Sequence, residues 1–322
     1  MTHHPRAALV DVHAHFLTDR YVRQAKAAGI KHPDGMPTWP SWDAGEHLAL
    51  MDRTGIATAV LSTSSPGVHF GDPAAAADLA RHMNDTASQL TLDHPGRFRF
   101  FSTLPLPDVE ASLTELERSA ALPGWEAVAL MTSAGGHYLH EPLFQPLLTA
   151  LDEREAVVLL HPTSPERTPG LDMPRPLMEF LFESARAVVG LTMSGTLLRH
   201  AKVKMVVTHS GGVLPLLADR ADLIKQSSPD LSGAPSVRAQ LARLWYDLAG
   251  TPEPAALPAL LGLVQTDRLL YGSDYCFTPD SAVQVQQASL DAAEHEEAVG
   301  WRTATASNAA HLLGAGRVRP TP

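Results

Sequence analysis

Short apolar or β-branched runs alternate along this chain with longer stretches in which apolar residues recur every third or fourth position. These are the periods of buried strands and of helices lying against them, so the pattern predicts repeated βα units. Eight runs read as strands: residues 8–12, 58–62, 98–103, 127–131, 157–160, 204–208, 244–247 and 269–272. Between them, segments such as PAAAADLARHMNDTASQL and VEASLTELERSAAL set an apolar stripe opposite charged positions, as helices packed on a sheet do. Eight alternating units predict a closed α/β fold, the (β/α)8 TIM barrel, spanning residues 1–322 as one domain. An open doubly wound sheet would place a glycine-rich phosphate loop after the first strand, where DVHAHF stands instead. Two stretches read as irregular insertions: residues 18–42, with Pro33, Pro37 and Pro40, and residues 163–176, with Pro165, Pro169, Pro174 and Pro176. Residues 177–200 read as a helical lead-in to the sixth unit, and the tail after Gly314 as a disordered or loosely docked end.

Composition narrows the setting. With 322 residues, 44% of them apolar, the chain can bury a large core. Its single cysteine, Cys276, leaves no internal disulfide, and the start MTHHPRAALV lacks the charged-then-apolar layout of a secretory signal, so a reducing cytoplasm is the expected location. No apolar run approaches the roughly 18 residues of a membrane span. A net charge of -10 argues against nucleic acid as a partner. The 16 histidines are conspicuous because lysine occurs only at Lys26, Lys31, Lys202, Lys204 and Lys225.

Catalytic groups in a barrel sit where strands end and βα loops begin, and the histidines follow that rule. In LVDVHAHF, His13 and His15 are two apart on extended backbone and project to one face. Two buried imidazoles side by side are poorly satisfied unless something bridges them, and a metal does so. The fifth strand then ends in His161, the sixth in His209 and the eighth in Asp274. Taken singly, each has an ordinary reading as a hydrogen-bonded loop residue or a helix cap. Their coincidence at the same end of four strands points to a metal site. Some two-cation barrel sites are bridged by a carboxylated lysine at the end of the fourth strand, and Ala129, Leu130, Met131 and Thr132 stand there, so one cation is expected; Lys204 opens the sixth strand, at the wrong end. Nitrogen ligands with one carboxylate suit a single zinc ion, with manganese as the alternative divalent metal.

The motifs DVHAHF, LLHPT, VTHSGGVLPLLADR and YGSDY occur in this order. The chain resembles the decarboxylase branch of the amidohydrolase superfamily, that of aminocarboxymuconate semialdehyde decarboxylase, and the pieces SPGV, YLHEPLF, LLHPTSP and YDLAG resemble the 6-methylsalicylate decarboxylase group. The resemblance implies metal ligation by His13, His15, His161 and Asp274, with His209 beside them as an acid/base or water-orienting residue. It also implies that Arg220 reaches a substrate carboxylate in a neighbouring subunit, hence a homodimer, and that Phe277 packs on the substrate. Aminocarboxymuconate semialdehyde decarboxylase carries an arginine shortly before its Trp-Asp pair, whereas MPTWPS precedes Trp42-Asp43 here. A monocarboxylic aromatic acid with Trp39 or Trp42 as a wall is therefore the expected substrate, and Cys276 replaces a usual proline as a small buried side chain. The expected reaction is non-oxidative decarboxylation of a 2-hydroxybenzoate-type acid, with Asp274 or His209 protonating the carbon that bears the carboxylate. The alternative is hydrolysis of a lactone, amide or vinylogous carbonyl compound at the same site.

Overall fold

The expected eight strands form and pair in parallel, each with its sequence neighbour, in the order β1 (Leu9–His15), β2 (Ile56–Ser62), β3 (Phe98–Thr103), β4 (Trp125–Met131), β5 (Val157–His161), β6 (Lys204–Val207), β7 (Trp245–Asp247) and β8 (Leu269–Leu270). The computed structural model describes residues 7–165, 173–227, 235–294 and 298–314, so the middle of the second proline-rich stretch and the tail after Gly314 lie outside it. A parallel bridge between Asp11 and Tyr271 joins the first strand to the last and closes the (β/α)8 barrel.

Alternate residues of all eight strands turn inward: Val12, Val60, Phe101, Ala127, Leu159, Val206, Trp245 and Leu270 pack with one another. The other faces, with Leu9, Leu61, Phe100, Val158 and Val207, pack under the helices. Ala309, Leu312 and Leu313 of the helix Trp301–Leu313 join the inner cluster. That helix sits at the strand starts, where His311 faces Trp245, the first residue of β7. The opposite, C-terminal end is left to carry the site.

Local chemistry explains several boundaries. Pro73 begins the helix Pro73–Asp93 under an Asp72 cap, and Asp108 caps Val109–Ser119. Asp43 caps Ala44–Thr54, so the Trp42-Asp43 pair does open a helix. The stretch 18–42 is less irregular than its prolines suggest: Thr18 caps a helix, Asp19–Ala27, that buries Tyr21 and Ala25. The prolines all fall after that helix, which is why it survives. β1 also runs past its expected end at Val12, because the amide of Val12 bonds Tyr271 and the amide of Asp274 bonds the carbonyl of His13.

Candidate metal and substrate site

Against β2, the register of β1 shifts between Asp11 and Ala14. The irregularity keeps Val12 in the barrel interior while turning both His13 and His15 into the mouth, as bulges beside active sites commonly do. Both imidazoles are fully buried. Their Nε2 atoms lie 3.1 Å apart, and Asp274 Oδ1 lies 3.4 Å from the first and 3.1 Å from the second. The ring centroid of His161 is 5.2 Å from that of His13 and 4.9 Å from that of His15, and His209 places Nε2 3.6 Å from Asp274 Oδ2. One donor atom each from His13, His161, His209 and Asp274 fall within 4.8 Å of one another, with His15 on the flank.

The far side of each ring decides what the near side can do. Nδ1 of His13 lies 2.8 Å from Asp247 Oδ2, Nδ1 of His15 lies 3.0 Å from Ser62 Oγ, and Nδ1 of His161 lies 2.6 Å from the carbonyl of Pro162. Ser62 Oγ donates to the carbonyl of Ala14, so it accepts from His15. All three rings thus have a partner for Nδ1 on the outer side, which leaves Nε2 for the centre of the cluster, the arrangement of imidazoles around a cation. His209 adds a buried Nδ1 with no partner among the described residues.

Charge agrees with geometry. Burial works against a proton on His13, yet Asp247, then Asp274 and Asp11, lift its ring to about 9. Burial lowers His15, and burial with the neighbouring rings pushes His161 well down. Burial alone would raise Asp274, but the surrounding imidazoles hold it well below the usual carboxylate range. The carboxylates therefore demand positive charge at the centre. A proton on His13 or a divalent cation would each supply it.

Backbone shape supports the site as well. Asp274, His209 and Ser210 hold φ of 58°, 55° and 55°, a region that costs energy for residues other than glycine and that recurs at active sites. Gly272 has a different reason: a Cβ there would stand 2.7 Å from that of His13 and 3.1 Å from the carboxyl carbon of Asp247.

The cluster opens into a cavity of about 400 Å³, the size of a small-molecule site, walled by Met36, Phe180, Leu181 and Phe277 and edged by Asp34 and Ser64. Phe277 meets His15 edge-on at 5.6 Å between centroids, and Phe180 meets His161 at 5.9 Å. A flat ring fits such walls.

The amidohydrolase family profile matches residues 10–313. The chain belongs to that family. It is 33% identical to the decarboxylase yanB of Aspergillus niger over 85% of this chain and 78% of that one. It is 32% identical to a 6-methylsalicylic acid decarboxylase of Penicillium expansum over 86% of this chain and 87% of that one. A solved amidohydrolase II structure, 28% identical, superposes with a TM-score of 0.88 over 95% of this chain and 99% of that one.

In this amidohydrolase, His13, His15, His161, His209, Asp274 and Phe277 are brought together. Trp39 and Trp42, expected as a wall for the substrate, are not among the residues that line this cavity. Trp39 is buried against Tyr21 and gives its indole N–H to the carbonyl of Ile30. Trp42 packs on Phe16 and Phe98 and gives its N–H to His47 Nδ1. Each indole has its polar partner inside the fold, which frees neither for a ligand. Cys276 is a buried small side chain, its thiol pushed up to about 12 by burial. Arg220 is exposed on the helix Leu214–Gln226 and does not line the cavity of its own chain. Asp247 was not singled out from the sequence, although it is fully buried and holds both His13 and the amide of His209. Its position as the last residue of β7 was the signal.

Proposed function

We propose that the protein is a divalent-metal-dependent, non-oxidative decarboxylase of a 2-hydroxybenzoate-type acid such as 6-methylsalicylate. The observation that carries this reading is the set of outward-donating histidines converging with Asp274 at the base of an aromatic-walled cavity. The names of the relatives support it, since they are decarboxylases, one of them of 6-methylsalicylic acid.

His13, His15, His161 and Asp274 would hold the ion, and their nitrogen-rich set suits zinc, with manganese as the second choice. When bound, the cation supplies a Lewis-acid anchor for the substrate carboxylate and ortho oxygen. Phe277 and Phe180 confine the ring. Asp274 Oδ2 accepts from Thr278 Oγ1 at 3.2 Å and lies 3.6 Å from His209 Nε2, so Asp274 and His209 are the two groups placed to pass a proton to the substrate. Direct loss of carbon dioxide would leave an aryl carbanion. The pair therefore first gives its proton to the ring carbon bearing the carboxylate, breaking the aromaticity. Carbon dioxide then leaves, and the electrons of the broken C–C bond restore the ring, with hydrogen where the carboxylate stood.

Turnover of 6-methylsalicylate and other ortho-hydroxy acids by zinc- and manganese-loaded protein in deuterium oxide is expected to release carbon dioxide and place one solvent deuteron on the ring. No release from any of them would sink the proposal, and oxygen-18 from water in a carboxylate product would identify a hydrolase instead.

The working unit we propose is a homodimer. Leu216, Arg220, Leu223 and Ile224 form an exposed stripe on one helix, with Leu216 76% exposed. Arg220→Ala is expected to lower kcat/KM about 10- to 100-fold, the range for losing a charged hydrogen bond to a carboxylate. Mixing it with Asp274→Asn should restore part of the activity through mixed dimers. A monomer in sedimentation, or no complementation, would remove the role of Arg220.

A further inference from the structure

The wall of the cavity beside the histidine cluster contains a carboxylate that the decarboxylation scheme does not use. Asp34 lines the same cavity as His161, His209, Asp274 and Phe277. It stands in the short turn Pro33–Gly35 with a φ of 51°. Two hydroxyls fix it: Ser65 Oγ donates to its Oδ1 at 2.8 Å and Ser164 Oγ donates to the same oxygen at 2.5 Å. Ser65 Oγ is in turn 2.9 Å from Thr163 Oγ1. The holders come from two loops, those after β2 and β5, so the carboxylate is clamped from outside its own turn.

The positive charge facing it belongs to Arg175, whose Nη1 would be 2.8 Å from a Cβ on the adjoining Gly35. Arg175 and the hydroxyls favour the charged carboxylate but do not outweigh burial, which leaves it above its ordinary range. Asp34 is thus a preset hydrogen-bond acceptor in the wall of the cavity that would take the ring.

We propose that Asp34 is a specificity-determining residue that accepts a hydrogen bond from a donor on the substrate ring, such as a second hydroxyl, and turns away rings bearing a second carboxylate. The proposal rests on the aromatic-acid reading of this cavity and, within it, ranks acids with a second ring hydroxyl ahead of 6-methylsalicylate. An acceptor with a negative charge cannot be satisfied by a methyl group, and a second anion beside it would be desolvated against a like charge. Selection of this kind works as much by repulsion as by attraction.

The test uses phenols that differ only at the meta position, namely 3-hydroxyphenol, 3-methylphenol and 3-carboxyphenol, with binding to the zinc-loaded protein followed by calorimetry. The wild type is expected to favour the hydroxyl over the methyl, and the methyl over the carboxylate, by about tenfold or more at each step. Asp34→Asn, which keeps the shape and the two serine bonds, is expected to tighten binding of the carboxylated phenol by about 10- to 100-fold and to shrink the hydroxyl preference. Asp34→Ser serves the same test should the asparagine variant not fold. Preferences unchanged within about twofold in the folded variants would overturn the role of Asp34. Decarboxylation of the matching acids by the wild type is measured alongside. Shifted preferences with no turnover would refute the decarboxylase reading and leave Asp34 standing, whereas turnover with unshifted preferences would do the reverse.

Discussion

Asp247→Asn is expected to lower metal affinity and kcat/KM together by about 100- to 10,000-fold while leaving the fold intact. Asp247 Oδ1 accepts from the amides of His209 and Ala249, both at 2.9 Å, and Oδ2 accepts from His13 Nδ1. An asparagine that keeps its carbonyl on the two amides must turn its NH2 group toward His13. Nδ1 then has to accept, so the neutral ring carries its hydrogen on Nε2, the atom that should face the cation. The ligand is lost by tautomer, with every heavy atom in place. Elemental analysis and kinetics on the folded variant decide the matter, and values within threefold of wild type would refute the tautomer argument. Alanine is the poorer choice, since it also strips two buried amides of their acceptor at about 1–3 kcal/mol each.

Asp274→Asn should be the most damaging single change, with kcat/KM down about 1,000-fold or more, because one side chain serves two purposes. Its Oδ1 stands against His13 and His15, and its Oδ2 stands against His209 and Thr278. The variant is expected to lose both the bound ion and the shared proton. His209→Asn isolates the second loss: metal content is retained, while kcat falls about 100-fold as a proton donor is removed. Equal metal loss in both variants would instead make His209 a ligand, an assignment for which its place among the four mutually close donor atoms provides a basis.

The barrel and most of the site were legible in the sequence for one reason. Strand periodicity and strand-end chemistry are local signals, and His13, His15, His161, His209 and Asp274 each sit beside an apolar run that announces the strand. Asp247 sits in the same way, but an aspartate after a strand reads as a turn until its partners are known. Those partners, His13 and two main-chain amides, are visible only in three dimensions. Trp39 and Trp42 were misplaced because a proline-rich loop gives no period from which to tell inward from outward. Trp39 is buried and Trp42 half-buried against the core, and their indole N–H groups find partners in Ile30 and His47. Asp34 was hidden for a similar reason, since Pro-Asp-Gly is an ordinary turn signature and its serine partners lie on distant loops.

The bridge between Asp11 and Tyr271 that closes the barrel also sets a timetable. Oδ1 of Asp11 accepts the amides of both His13 and Ser273, so the first histidine pair and the last carboxylate are positioned by one side chain that spans the seam. His13, on the first strand, is synthesised before the other seven strands, and Asp274 only after all eight. During most of synthesis the early histidines therefore have no carboxylate to complete their set, and a nascent chain has no high-affinity place for a metal. With the proposed ligand set, a cation would find its carboxylate only once the eighth strand has joined the first.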